Sequence, residues 1–186
     1  VKEVPLKISF LFLLVLLFAQ ISCGNSKFKE DAGGPEIQKI RSLIAKGSYD
    51  AALKLAKELA SKVPPSVDAD RALYLQGYIL AYDKSDLENS RPPLRKLLKD
   101  YPKSSLLIPT QKLISDTQYW QGHYRGAVEE YKKLELMGDP DLGLYSELQI
   151  GNSLLLNDKV TDALARYKDI MEKNPGTSIA DSAQLL

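Results

Sequence analysis

The chain holds few residues that could act on a bond. It has one cysteine, Cys23, and one histidine, His123. A cysteine nucleophile needs a base held beside it. His123 sits in the turn "GHYRG", where a lone histidine reads as solvated surface, and Cys23 sits on a linker, so no such pair is expected. Glu129 and Glu130 could supply acid–base chemistry, but they alternate with Lys132 and Lys133. That is the i, i+3 and i, i+4 pattern of an exposed, ion-paired helix face. A single cysteine excludes an internal disulfide and a cysteine-rich zinc site. No glycine-rich loop follows a strand to cradle a phosphate, and no metal-ligand cluster is present. The expectation is a protein that is not an enzyme and holds no cofactor or metal.

For Cys23 two readings remain, an incidental residue near a cleavage site and a site of covalent attachment. Upstream lies "ISFLFLLVLLFA", Ile8 to Ala19, preceded by Lys2 and Lys7. A dozen residues rise only about 18 Å as a helix, short of the roughly 30 Å hydrocarbon core. A basic start, a short apolar run and small residues after it make a secretory signal over residues 1–22. The stretch Gln20, Ile21, Ser22, Cys23 resembles the lipobox of bacterial lipoproteins. Ser22 is the small residue before the cut, and Gln20 stands where that family usually has Leu. The resemblance implies cleavage before Cys23, a thioether-linked diacylglycerol on its sulfur and an N-acyl chain. Several chains anchor far more firmly than one, since each buried CH₂ contributes about 0.8 kcal/mol. Gly24 follows in place of the aspartate that retains such proteins at the inner membrane. By that rule the resemblance implies the outer membrane, facing the periplasm. Residues 23–34, Gly-rich and without apolar period, read as a flexible tether.

The remainder is long enough for one domain or a short repeat array. Composition is ordinary, at 44% hydrophobic and 26% charged. A formal net charge of +1 offers no basic excess for displacing counterions, which argues against a nucleic-acid partner.

Four segments align: "GSYDAALKLAKEL" from Gly47, "SDLENSRPPLRKL" from Ser85, "GHYRGAVEEYKKL" from Gly122 and "DKVTDALARYKDI" from Asp158. Each opens on a turn residue and then places a small residue, Ala52, Ser90, Ala127 or Ala163. Four positions on stand Ala56, Leu94, Tyr131 or Tyr167, and three beyond these Leu59, Leu97, Leu134 or Ile170. Spacing of i, i+4, i+7 is one face of an α-helix. Pro64, Pro102, Pro140 and Pro175 are expected to stop these helices. A further helix is expected before each, over about Pro35–Lys46, Val67–Tyr82, Leu107–Gln121 and Leu142–Leu156.

This pattern resembles the tetratricopeptide repeat, a helix–turn–helix unit of about 34 residues. In the fourth copy Ile150, Gly151, Leu154, Ala163, Tyr167 and Pro175 match its Leu, Gly, Tyr, Ala, Phe and Pro positions. The resemblance implies an all-α superhelix (a solenoid) of about four repeats over residues 35–177, with residues 178–186 a partial or capping helix. Arg91–Pro93, "RPP", is expected to break or restart the second helix of repeat two, with Ser90 as N-cap. Pro109 fits only a first turn. "DYPKSS" and "KNPGTS" are similar to turns of periplasmic members of the family, such as the lipoprotein of the outer-membrane β-barrel assembly machine and the periplasmic cell-division coordinator.

The family's inner groove is lined by first helices. Projected here, its positions are Tyr74 and Tyr78, then Lys112, Asp116 and Tyr119, then Tyr145, Leu148 and Asn152. Tyrosines suit recognition of a peptide or partner helix, and they also serve as inter-repeat core. Trp120 is expected in the core. The function implied is a membrane-anchored scaffold binding a protein or peptide partner in the cell envelope, with assembly of outer-membrane proteins its sharpest form. The alternative is a soluble periplasmic repeat protein supporting cell-wall or cell-division enzymes.

Overall fold

The computed structural model describes residues 33–62 and 65–184. The signal, Cys23, the tether through residue 32, and Pro64 lie outside the described residues. Among the described residues every regular element is helical, and no helix is long and apolar enough to cross a membrane.

The helices come in pairs. Helices α1 (Pro35–Ala45) and α2 (Tyr49–Ala60) form repeat one. Helix α3 (Ala69–Tyr78) continues into a π-helical turn, Ile79–Asp83, and pairs with α4 (Leu87–Asp100). Then follow α5 (Leu107–Trp120) with α6 (Tyr124–Glu135), and α7 (Pro140–Leu156) with α8 (Val160–Lys173). The short α9 (Ser178–Gln184) rests on α8 and α7. Each helix packs against the next in the chain, as in a solenoid.

All twelve positions of the repeated second-helix face are buried. The small residues Ala52, Ser90, Ala127 and Ala163 are fully buried, and in repeats two to four the buried residue four positions on is a large one, Leu94, Tyr131 or Tyr167. Each fully buried Leu or Ile contributes roughly 1.5–3 kcal/mol. The first helices answer with their own small residues. A Cβ on Gly77 would lie 2.4 Å from Leu94, and one on Gly151 2.5 Å from the Tyr167 ring.

The four turn residues that open the aligned segments all have positive φ: Gly47 (70°), Ser85 (53°), Gly122 (75°) and Asp158 (59°). In repeats one, three and four this residue and its successor donate back to the last turn of the first helix. Gly122 N bonds Tyr119 O at 2.9 Å and His123 N bonds Gln118 O at 3.0 Å. These are Schellman closures, where glycine is favoured because a Cβ strains the left-handed conformation. Asp158→Gly is therefore expected to raise stability by about 0.5–1 kcal/mol, read as a higher urea midpoint.

Repeat two carries one extra residue. Gly77 and Ser85 are eight apart, whereas Gly151 and Asp158 are seven apart. The π turn absorbs the insertion, with Lys84 N bonding Ile79 O at 3.0 Å, an i→i+5 bond. Asp83, the last residue of the turn, has a carboxylate oxygen buried without a partner, and burial pushes its pKa up.

Prolines depart from expectation twice. Helix α4 is not broken at "RPP". It runs from Leu87, capped by the Asp86 carboxylate accepting from Asn89 N, with Pro92 and Pro93 inside it. The carbonyls that lose their donors belong to Glu88 and Asn89, both exposed residues that water can reach. Pro140 does not stop α6, which ends at Glu135. It opens α7 at the first position behind the Asp139 cap, where its missing N–H removes no bond. Pro109 stands in the first turn of α5 as expected.

Candidate functional site

The first helices bring aromatic side chains of successive repeats together. Tyr74 and Tyr78 on α3 have ring centroids 6.3 Å apart. Tyr78 meets Tyr82 of the π turn at 4.7 Å, and Tyr82 meets Trp120 of α5 edge-on at 5.3 Å. Tyr82 is 47% exposed and Trp120 45%. Trp120 is thus not a core residue: it is the last residue of α5, beyond the reach of the packed face.

Beside this row lies a buried polar node. Asp116, 1% exposed, accepts from Tyr131 Oη at 2.7 Å and Tyr145 Oη at 2.9 Å. Its second oxygen accepts from Lys112 Nζ at 2.6 Å. The same ammonium lies 4.5 Å from the centroid of the Tyr145 ring, a cation–π contact. Of the projected groove residues, Lys112, Asp116 and Tyr145 therefore form one cluster joining α5, α6 and α7. Burial, then the Asp116 charge, pushes the pKa of both Tyr131 and Tyr145 well above the usual phenol value, which keeps them donors. Burial chiefly, with Tyr78 and Asp116 nearby, pushes Tyr74 up to about 12.

The other projected residues are placed apart from that cluster. Tyr119 stacks edge-on against Tyr124 at 5.8 Å, and burial pushes its pKa up. Asn152 accepts from Tyr167 Oη at 2.8 Å. Leu148 is half-buried and packs on the α8–α9 core cluster.

A second node was not visible in sequence. Glu130 is 5% exposed, not part of a solvated face. It accepts from Arg95 Nη2 at 2.9 Å, Gln111 Nε2 at 2.9 Å and Lys133 Nζ at 3.1 Å. Two of these partners come from α4 and α5, so spacing within α6 could not reveal them. Burial pushes the Glu130 pKa up, but the hydrogen bonds from Gln111, Arg95 and Lys133 outweigh it and the net shift is downward. A lowered carboxyl pKa adds stability above the ordinary glutamate value of 4.5, lost as pH falls through the folded-state value. Glu130→Gln is expected to flatten the acid side of the stability–pH curve, measured by urea melts between pH 3 and 7.

His123 is exposed, with Nδ1 3.2 Å from Gln118 Oε1. Among the described residues no group of His, Cys, Asp and Glu could hold a metal. A depression of about 460 Å³ between α6, α7 and α8, lined by Val128, Lys132, Ile150 and Arg166 among others, shares no residue with the aromatic row.

Comparison with known proteins agrees with the helix pairing. A tetratricopeptide-repeat model matches residues 71–104, which span repeat two from α3 through the turn before α5. The solved structure of a MamA RS-1 ArsTM double mutant superposes with a TM-score of 0.61, covering 82% of this chain and 90% of that one at 15% identity. MamA AMB-1 superposes at 0.58, covering 80% and 76% at 16% identity. No curated protein sequence matches the chain. The fold is a tetratricopeptide-repeat solenoid. Tyr74, Tyr78, Tyr82, Lys112, Trp120 and Tyr145 all occupy first helices or their continuation.

Proposed function

We propose that this solenoid is a non-enzymatic scaffold that binds a protein partner through its first-helix face. The half-exposed Tyr82–Trp120 pair carries the reading. Large aromatic rings held by one another in two repeats offer contact area with little rotor entropy left to lose. The Asp116 node supports it, because it fixes α5, α6 and α7 as one rigid backing for that face.

We further propose that Cys23 is lipidated and tethers the solenoid to a membrane of the cell envelope, with the outer membrane as the site and assembly of its proteins as the role. The support is the apolar run, the lipobox-like residues and the tether. Labelling cells with a radioactive fatty acid tests the anchor: wild type should incorporate label and Cys23→Ala should not. Equal labelling of both would sink the anchor. Capture from detergent-solubilised membranes tests the scaffold. A partner retained by wild type should be lost with the double variant Tyr82→Ala, Trp120→Ala.

A further inference from the structure

We propose that repeat one rests on anionic lipid headgroups, so that the solenoid stands on the membrane with repeat four turned away. This rests on the anchor reading and adds to it the lipid class and the orientation. Charge is graded along the array. Repeat one, residues 35–62, has six basic and three acidic residues, whereas residues 139–184 have four basic and eight acidic. Ion pairing sharpens the contrast. Lys39, Lys46, Lys54 and Lys57 are exposed and enter no ion pair among the described residues. At the other end Asp141, Asp158, Asp162 and Asp181 are exposed and equally unpaired among the described residues. Lys54 and Lys57, three apart, share one face of α2, away from its buried Ala52, Ala56 and Leu59.

The chain enters the array at this same repeat, and its entry is fixed. Gly34 N donates to Asp68 Oδ2 at 2.8 Å, and Arg71 Nη1 donates to Asp68 Oδ1 at 3.2 Å. Asp68 is buried, and a Cβ on Gly34 would lie 2.7 Å from its Oδ2. Gly33 has a φ of 64°, and a Cβ there would lie 2.8 Å from Ile37. Ten residues separate Cys23 from Gly33. Fully extended they reach at most about 35 Å. A lipid on Cys23 therefore holds the repeat with the free lysines within that distance of the bilayer. Negatively charged headgroups meet those lysines at a high effective concentration, an advantage that no freely diffusing acidic protein shares. Each lysine near an anionic surface strengthens adhesion about fivefold, and the same field repels the acidic repeat four.

Cys23 is the only cysteine in the chain, so once its sulfur is lipidated an introduced thiol can be labelled alone. Ser42→Cys on α1 and Thr161→Cys on α8, both at exposed positions, would each carry a fluorescent donor. The protein purified from membranes would be reconstituted into vesicles with a headgroup-labelled acceptor. One set is phosphatidylcholine alone and the other holds phosphatidylglycerol in equal part. Energy transfer from position 42 should rise with phosphatidylglycerol and fall back at about 1 M salt, where screening acts within ~3 Å. Transfer from position 161 should stay lower. Replacing Lys39, Lys46, Lys54 and Lys57 together by Gln, with helicity checked by circular dichroism, should return position 42 to its value on phosphatidylcholine. Each single replacement should lower the ratio of seated to free solenoids about fivefold. No rise with phosphatidylglycerol, an equal rise at both positions, or a rise that survives the fourfold replacement would overturn the proposal. The mass of the mature N-terminus keeps the two readings apart. A lipidated chain indifferent to phosphatidylglycerol sinks the headgroup contact and leaves the anchor standing. If Cys23 proves unlipidated the anchor falls. Salt-sensitive sedimentation of that chain with phosphatidylglycerol vesicles, lost in the fourfold variant, would then still uphold the lysine surface, and its absence would sink it.

Discussion

Asp116→Ala is expected to destabilise the protein by about 3–5 kcal/mol, a large share of a domain's net stability. The carboxylate is the common acceptor for two tyrosine hydroxyls and one ammonium. Alanine would leave the Tyr131 hydroxyl buried without its acceptor and Lys112 without its counter-charge. Each orphaned buried group carries its own desolvation penalty, which is why deletion costs more than the pair contributes. Asp116→Asn keeps an acceptor oxygen for the hydroxyls and loses only the charge, so about 1–2 kcal/mol is expected. Urea denaturation would measure both. Native-state hydrogen exchange should show α5, α6 and α7 loosening together, since the three partners lie on those helices, while α1 and α2 keep their protection. Loosening spread evenly over the chain would contradict nearest-neighbour coupling in the solenoid.

Tyr167→Ala is the second large effect, at about 3–5 kcal/mol. The ring is almost wholly buried against Gly151, and its hydroxyl donates to Asn152 at 2.8 Å. Tyr167→Phe removes only the hydrogen bond and should cost about 1 kcal/mol. The close approach makes a stricter test. Gly151→Ala alone forces a methyl into the ring and should destabilise by about 1–3 kcal/mol. In the Tyr167→Ala background the same methyl enters vacated space and gains the helix preference of alanine over glycine, so it should be neutral or stabilising. Additive losses in the double mutant would show that ring and glycine do not pack on each other.

Much of this fold was legible because one physical demand recurs. Two helices that cross closely need a small residue at the crossing and a large one beside it. Ala52, Ser90, Ala127 and Ala163 answer that demand at near-constant spacing and are all buried. Reading failed where a residue's fate depended on a neighbouring repeat or on solvent. Glu130 looked solvated because Arg95 and Gln111 lie far off in sequence. Pro92 and Pro93 looked like a break because the rule counts a missing N–H without asking whether water reaches the orphaned carbonyl. The π turn was hidden because one inserted residue resembles a slightly longer loop. Its consequence, the Tyr82–Trp120 contact, was therefore hidden too. Tyr74, Tyr78, Lys112, Asp116, Tyr119, Tyr145 and Asn152 were placed by family register, which says which face a residue shares but not what it already holds. Lys112, Asp116 and Tyr145 hold one another.

The central claim is that the first-helix face is where a partner engages. Photo-crosslinking in the living host tests it most directly. A benzophenone amino acid would be placed singly at positions 78, 82 and 120 on that face, and at 57, 132 and 168 on exposed parts of second helices. The claim predicts a common crosslinked protein from 78, 82 and 120 and none from the other three. Crosslinks to that protein from 57, 132 or 168, with none from the aromatic corner, would contradict it.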